Sequence, residues 1–259
     1  MKTSLRKLLS VVALSVTVSL ASAAPSPVEN LLRQAQQKIE AGGYANELKA
    51  IGEAQLALDK VLLVEPKNAL AWYYKGYAAY TEANLQGSKG DAAARVAALE
   101  AADQALEKSI QFGRMGEALA LHATVLSVLV GVRGPESAAP LATRAAQQMA
   151  EARRLAPESP RVAIQAGIAA FYTPPEWGGD VKKALALFEQ ATGAYAAAGE
   201  ITAQPSWGRA EAHVWTGQAY EKIGDAGRAR AEYEKALAAA PNYAWVRYAL
   251  LPNLDKSPQ

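Results

Sequence analysis

Three times in this chain a glycine-aspartate pair stands directly before a stretch of helical character: Gly90-Asp91, Gly179-Asp180 and Gly224-Asp225. Glycine supplies the backbone freedom of a tight turn. The aspartate carboxylate accepts from the free amides of the first helical turn and suits its positive end. Apolar residues return at three- and four-residue spacings on both sides of each pair, so each pair marks the turn between two helices. A chain that repeats this device is constrained to an array of helical hairpins. Abundant alanine and a few confined prolines agree with an all-α protein.

The unit is clearest at the C-terminal end, where Gly217, Tyr220, Gly224-Asp225, Ala229, Tyr233, Ala236 and Pro241 form a ladder across two helices. Gly217 and Ala229 fall where the helices cross, and a larger side chain there would push the backbones apart. Pro241 stops the second helix. The ladder resembles the tetratricopeptide repeat, a helix-turn-helix unit of roughly 34 residues. Pro66 is followed by Trp72, Gly76 and Ala79 in a second such unit, whose partner helix is expected to begin at Asp91 after a looped insertion over residues 81–90. Pro157 opens a third unit, with Ala163, Gly167 and Ala170 facing Ala184, Phe188 and Ala191.

Two further hairpins rest on spacing alone. One joins residues 28–41 to 46–64 around Ala41-Gly42-Gly43-Tyr44. The other joins residues 116–130 to 137–156 around the turn 131–135, with Pro140 in the first turn of its helix, where a missing amide costs nothing. The resemblance therefore implies an all-α, right-handed superhelix of antiparallel helix pairs. It is expected to hold about five pairs and a capping helix over residues 244–251, with Asp255 to Gln259 frayed. Such arrays expose a curved inner surface and bind partners rather than transform substrates.

Residues 1–23 have the form of a secretory signal peptide. Lys2, Arg6 and Lys7 precede an apolar run over 8–20, and Ala21-Ser22-Ala23 stands before Ala24-Pro25. Cleavage is expected after Ala23, leaving a single repeat domain over 24–259 in the periplasm. The apolar run is shorter than the roughly 20 residues of a spanning helix. No later segment approaches that length, so no stable membrane insertion is expected after cleavage. Formal net charge is +2, and without the three basic leader residues the balance is 24 basic against 25 acidic. A near-neutral body gives no electrostatic reason to expect nucleic acid as a partner.

The chain has no cysteine, which removes disulfides, thiolate metal sites and thiol nucleophiles together. Its two histidines, His122 and His213, have no second histidine at the spacing of a zinc helix, and each fits a helix seam with one hydrogen bond. No phosphate loop or nucleophile elbow occurs. Gly87-Ser88-Lys89-Gly90-Asp91 would set a carboxylate where an anion should sit, so it is taken as a turn and cap. The sequence thus offers no catalytic residue, metal ligand or cofactor, and the protein is expected to be non-enzymatic.

Candidate binding residues lie on the opening helices. With Trp72 at the fourth place of its repeat, the resemblance puts Tyr73, Tyr77 and Tyr80 on the inner face, and their spacing sets them on one stripe. The matching places of the repeat starting at Pro160 hold Arg161, Ile164, Ile168, Phe171 and Tyr172. These residues either line a tyrosine-rich groove for a peptide, a partner helix or a small amphipathic ligand, or form core beneath the insertions. The loop Pro174-Pro175-Glu176-Trp177-Gly178-Gly179 is either a lip over that groove, with Trp177 as a contact, or a packing insertion. Some tetratricopeptide proteins hold a C-terminal carboxylate with lysine and asparagine. The matching places here carry Tyr73, Tyr77, Ile164, Ile168, Val214 and Gln218, so that clamp is missing.

Two functions follow from these residues. The first is a periplasmic scaffold or adaptor that docks a protein or peptide of the cell envelope on the concave face. The alternative is a small-ligand carrier, companion to a transporter, in which the insertions over 81–90 and 172–179 close the superhelix into a pocket. An open groove would favour the first, and an enclosed apolar cavity the second.

Overall fold

The computed structural model describes residues 25–198 and 205–256. The leader assigned to residues 1–23 lies outside them. Among the described residues there are ten long helices in five pairs and no strand. The pairs are α1 (Pro27–Ala45) with α2 (Leu48–Val64), α3 (Ala69–Ser88) with α4 (Ala92–Phe112), α5 (Gly116–Val132) with α6 (Pro135–Leu155), α7 (Pro160–Tyr172) with α8 (Val181–Ala198), and α9 (Arg209–Lys222) with α10 (Ala226–Ala239). A π-helical turn, Val246–Leu250, then runs into the short α11 (Leu251–Lys256).

Small residues set the seams. A methyl group added to Gly76 would meet Leu106, one on Gly167 would meet Phe188, and one on Gly217 would meet Tyr233, all closer than 3.0 Å. In all three pairs a large side chain of the second helix lies flat on the bare backbone of the first, which brings the axes close and excludes water. Leu106, Phe188 and Tyr233 are fully buried. The expected turns are also present. Asp91 accepts from the Ala94 amide at 2.9 Å, Asp225 from the Arg228 amide at 2.9 Å, and Asp180 from the Lys182 amide at 2.8 Å. Gly90 (φ 80°) and Gly224 (φ 88°) take the left-handed backbone that lets the chain turn into the cap.

Four local expectations need correction. Residues 81–88 are not a loop: they continue α3, because Ala83 and Leu85 find buried places and the run holds good helix formers. Gly42 and Gly43 are likewise helical, and the first turn falls at Asn46 in the left-handed region (φ 58°). Those glycines serve close approach, since a methyl on Gly42 would press on Ala50 and one on Gly43 on Thr81 of α3. Helix α6 starts at Pro135, whose fixed φ suits the first helical position, so Pro140 lies inside the helix rather than in its first turn. The C-terminal cap is the π turn and α11, with Val246, Leu250 and Leu254 buried over Tyr220 and Tyr233. Asp255 there is not frayed but pairs with Arg230.

Candidate functional site

The array curls until its ends meet. Tyr44, near the end of α1, packs its ring on Tyr243 with centroids 4.6 Å apart, and its hydroxyl donates to Glu211 of α9 at 2.8 Å. The curl leaves the concave surface as a half-open cavity of about 900 Å³ between the first helices of the repeats. Its walls come from α1 (Ile39, Glu40, Tyr44), α3 (Tyr77, Tyr80, Asn84) and α7 (Ile164, Ile168, Tyr172). Trp215, Tyr243 and Trp245 complete the far side. The helical insertion of α3 contributes Thr81, Leu85 and Ser88. It therefore deepens the cavity as a wall instead of folding over it as a lid.

The chain itself fills part of the groove. Between α8 and α9 the segment Pro205-Ser206-Trp207-Gly208 turns inward, and Trp207 is only 6% exposed. Its ring stacks on Tyr77 at 4.5 Å, and its indole N–H donates to the Tyr73 hydroxyl at 2.7 Å. Its carbonyl accepts from Arg161 at 3.1 Å and from the Tyr195 hydroxyl. The Ser206 amide donates to the Tyr74 hydroxyl at 3.2 Å. Gly208 has φ 106°, and a side chain there would collide with the Tyr195 hydroxyl. The indole N–H and the carbonyl that Trp207 brings inside are therefore both satisfied, as a buried plug requires.

This plug sorts the residues that the sequence placed on the inner face. Tyr77, Tyr80, Ile164, Ile168 and Tyr172 do line the cavity. Tyr73 and Arg161 do not: Tyr73 is fully buried and Arg161 nearly so, both spent on holding Trp207, so neither is open to a partner. Phe171 packs edge-on against Tyr172 and Trp215 behind the wall. Trp177 follows neither expectation. It stands 79% exposed on a short 3-10 turn, outside the cavity wall and untucked.

Two carboxyl groups inside the cavity had no signal in the sequence. Glu40 and Glu211 both face the Tyr44 hydroxyl, at 3.3 and 2.8 Å, and Tyr77 lies 3.4 Å from Glu211. Gln36 donates to Glu40, and the Gly208 amide also supports it. Burial, and then the charge of Glu211, push the Glu40 carboxyl up to about 8. Burial likewise raises Glu211. The surrounding phenols of Tyr44, Tyr77 and Tyr243 are held well above their usual range, mainly by burial.

The histidines lie elsewhere. His122 faces Asp103 at 2.6 Å and His213 faces Glu232 at 2.7 Å, each across one helix seam. Asp103, Glu107 and His122 bring one ligand atom each within 4.8 Å of one another, a grouping that no sequence spacing announces. Arg144 already holds Glu107 at 2.7 Å, so this trio is tied into the seam by an ion pair and the His122–Asp103 contact.

The fold is that of tetratricopeptide-like helical repeat proteins. The structure is similar to the HusA haemophore from Porphyromonas gingivalis, with a TM-score of 0.59 and 22% identity over 76% of this chain and 96% of that one. It is also similar to TTC0263, a thermophilic tetratricopeptide protein of Thermus thermophilus, with a TM-score of 0.56 and 19% identity over 88% of this chain and 98% of that one. A third likeness is to the anaphase-promoting complex assembly Cut9-Hcn1, with a TM-score of 0.52 and 16% identity over 90% of this chain and 41% of that one. No protein-family model matches the sequence, and no curated protein does. Among the described residues no helix is long and apolar enough to cross a membrane.

Proposed function

We propose that this protein is a non-enzymatic carrier that binds a small, largely apolar molecule in the concave cavity. The observation that carries the reading is the narrowing of the groove by the chain's own Trp207 segment and by the Tyr44–Tyr243 contact. What remains, about 900 Å³, falls in the size range of small-molecule sites. An extended peptide running along the inner face would have to displace a tryptophan whose indole N–H and carbonyl are both paired. Tyrosine and tryptophan walls suit a ligand with a flat or ring-bearing body. The haemophore among the structural neighbours is a precedent for this frame in a carrier of a small molecule. In this reading residues 1–23 direct export, the mature chain begins at Ala24, and the protein works in the periplasm, where a carrier would serve a transporter.

The test is native mass spectrometry of the mature protein purified gently from its source, beside an Ile168→Trp variant that fills the cavity. The wild type is expected to retain a small mass that the folded variant lacks. Co-purification of a polypeptide, with no small mass retained, would return the scaffold reading to first place. N-terminal sequencing of the same material is expected to start at Ala24.

A further inference from the structure

The cavity's polar groups indicate what kind of molecule it takes. Elsewhere in the protein, half-buried acids stand singly, on a basic side chain or on neutral donors, as Glu82 does on Gln55, Glu117 on Ser159 and Glu221 on Tyr233. Asp103 faces His122, Glu232 faces His213 and Lys235, and Glu151 faces Arg114. Glu40 and Glu211 differ in converging on one hydroxyl, that of Tyr44: among the described residues neither is paired with lysine, arginine or histidine, and their partners are two tyrosine hydroxyls, one glutamine amide and backbone amides. The Tyr44 hydroxyl has a single proton to give to the two carboxyls that face it. A pair of acids buried in this way needs a proton or a positive charge from outside the chain.

The rest of the cavity end fits a positive charge. Tyr44 and Tyr243 lie against one another, Tyr77 is stacked on Trp207, and the Tyr44 and Tyr77 hydroxyls both reach Glu211. Aromatic faces with carboxylates behind them attract organic cations through the ring quadrupole and direct charge together. Among the described residues the one cationic side chain of the cavity wall, Arg95, stands beside Gly87. That is ten residues beyond Tyr77 on α3, or about 15 Å at the helical rise. It therefore leaves the acid pair unneutralised.

We propose that the ligand carries an ammonium group, seated between the Glu40 and Glu211 carboxyls and the rings of Tyr44, Tyr77 and Tyr243, with its apolar body along the Ile164, Ile168 and Trp215 wall. The proposal rests on the carrier reading and names its ligand class. A primary ammonium has three donors for four carboxylate oxygens, and its charge replaces the proton the pair otherwise holds. Binding therefore releases protons to solvent.

The test uses three probes with one phenethyl body: phenethylammonium, phenylethanol and phenylpropanoate, titrated calorimetrically into the full mature chain near neutral pH in two buffers of different ionisation enthalpy. The ammonium is expected to bind at least about tenfold more tightly than the alcohol, with net proton release, and the carboxylate to bind most weakly. In a Glu40→Gln, Glu211→Gln variant shown folded by circular dichroism, the ammonium's advantage is expected to vanish while the alcohol binds as before. Equal or tighter binding of the alcohol or the carboxylate to the wild type overturns the ammonium assignment but leaves the carrier reading standing. Failure of all three probes overturns the ammonium assignment as well, and the carrier reading is then judged separately by whether a small mass is retained. A retained polypeptide in place of a small mass would assign the ammonium to a lysine of a protein partner and overturn the small-molecule claim.

Discussion

The helix seams and the concave cavity are built on opposite terms. In the seams, glycine faces Leu106, Phe188 or Tyr233 and acids such as Asp103, Glu107 and Glu232 each find a partner across the seam, so packing is settled locally. In the cavity, large aromatics border open space and two acids face each other without a cation. Seams of this kind give stability. A region that brings two buried acids onto one hydroxyl gives some of it up, and such exceptions cluster where a protein does its work.

The sharpest way to break this contrast is to remove the plug that divides the two regions. Trp207→Ala deletes a buried ring and leaves the Tyr73 hydroxyl without its donor. It is expected to cost about 3–5 kcal/mol in urea unfolding, and a loss below about 1 kcal/mol would show that the segment is loosely held. Widening a seam comes next. Gly217→Leu or Gly76→Leu is expected to cost about 1–3 kcal/mol by overpacking, and variants that melt with the wild type would show that the seam is misplaced.

The cavity acids should respond with the opposite sign. Because the folded protein holds a proton on Glu40 more tightly than the unfolded chain does, stability falls as pH rises from the ordinary carboxylate range to about 8, and is level above it. Glu40→Gln is therefore expected to stabilise the protein near pH 8 by about 1–2 kcal/mol, after discounting for partial exposure, and to leave it unchanged near pH 4. Thermal melts at the two pH values read this directly, and destabilisation at the higher one would contradict the unneutralised pair. The smallest effect is reserved for Trp177→Ala. With the ring exposed, a change within about 0.5 kcal/mol is expected, and cavity-probe affinity should not move. A large loss of probe binding would bring that loop back to the site.

The seams were legible because their signals are local. Gly217, Gly224-Asp225 and Tyr233 sit within one helical hairpin, and helical spacing alone sets them on facing sides. The cavity was legible only in part. Tyr77 and Tyr80 followed from their stripe, and Ile164 and Ile168 from the matching places of the repeat that the chain resembles. Tyr73 has the same spacing signal, yet it is core, because Trp207 comes from 134 residues away to meet it. Glu40 and Glu211 belong to the first and last repeats, and Tyr44 bridges 167 residues to reach Glu211. Such a meeting depends on the curl of the whole array, which no local pattern encodes. One local signal does point to the plug. Pro205-Ser206-Trp207-Gly208 sets an apolar anchor among turn-forming residues just before α9.

The measurement that tests the account most directly is a crystal structure of the mature protein purified with whatever it retains. The account predicts density for a compact small molecule along Ile168 and Trp215, with a nitrogen at Glu40 and Glu211 and Trp207 still stacked on Tyr77. A polypeptide strand lying along the inner face, with the Pro205–Gly208 segment displaced from it, would contradict it.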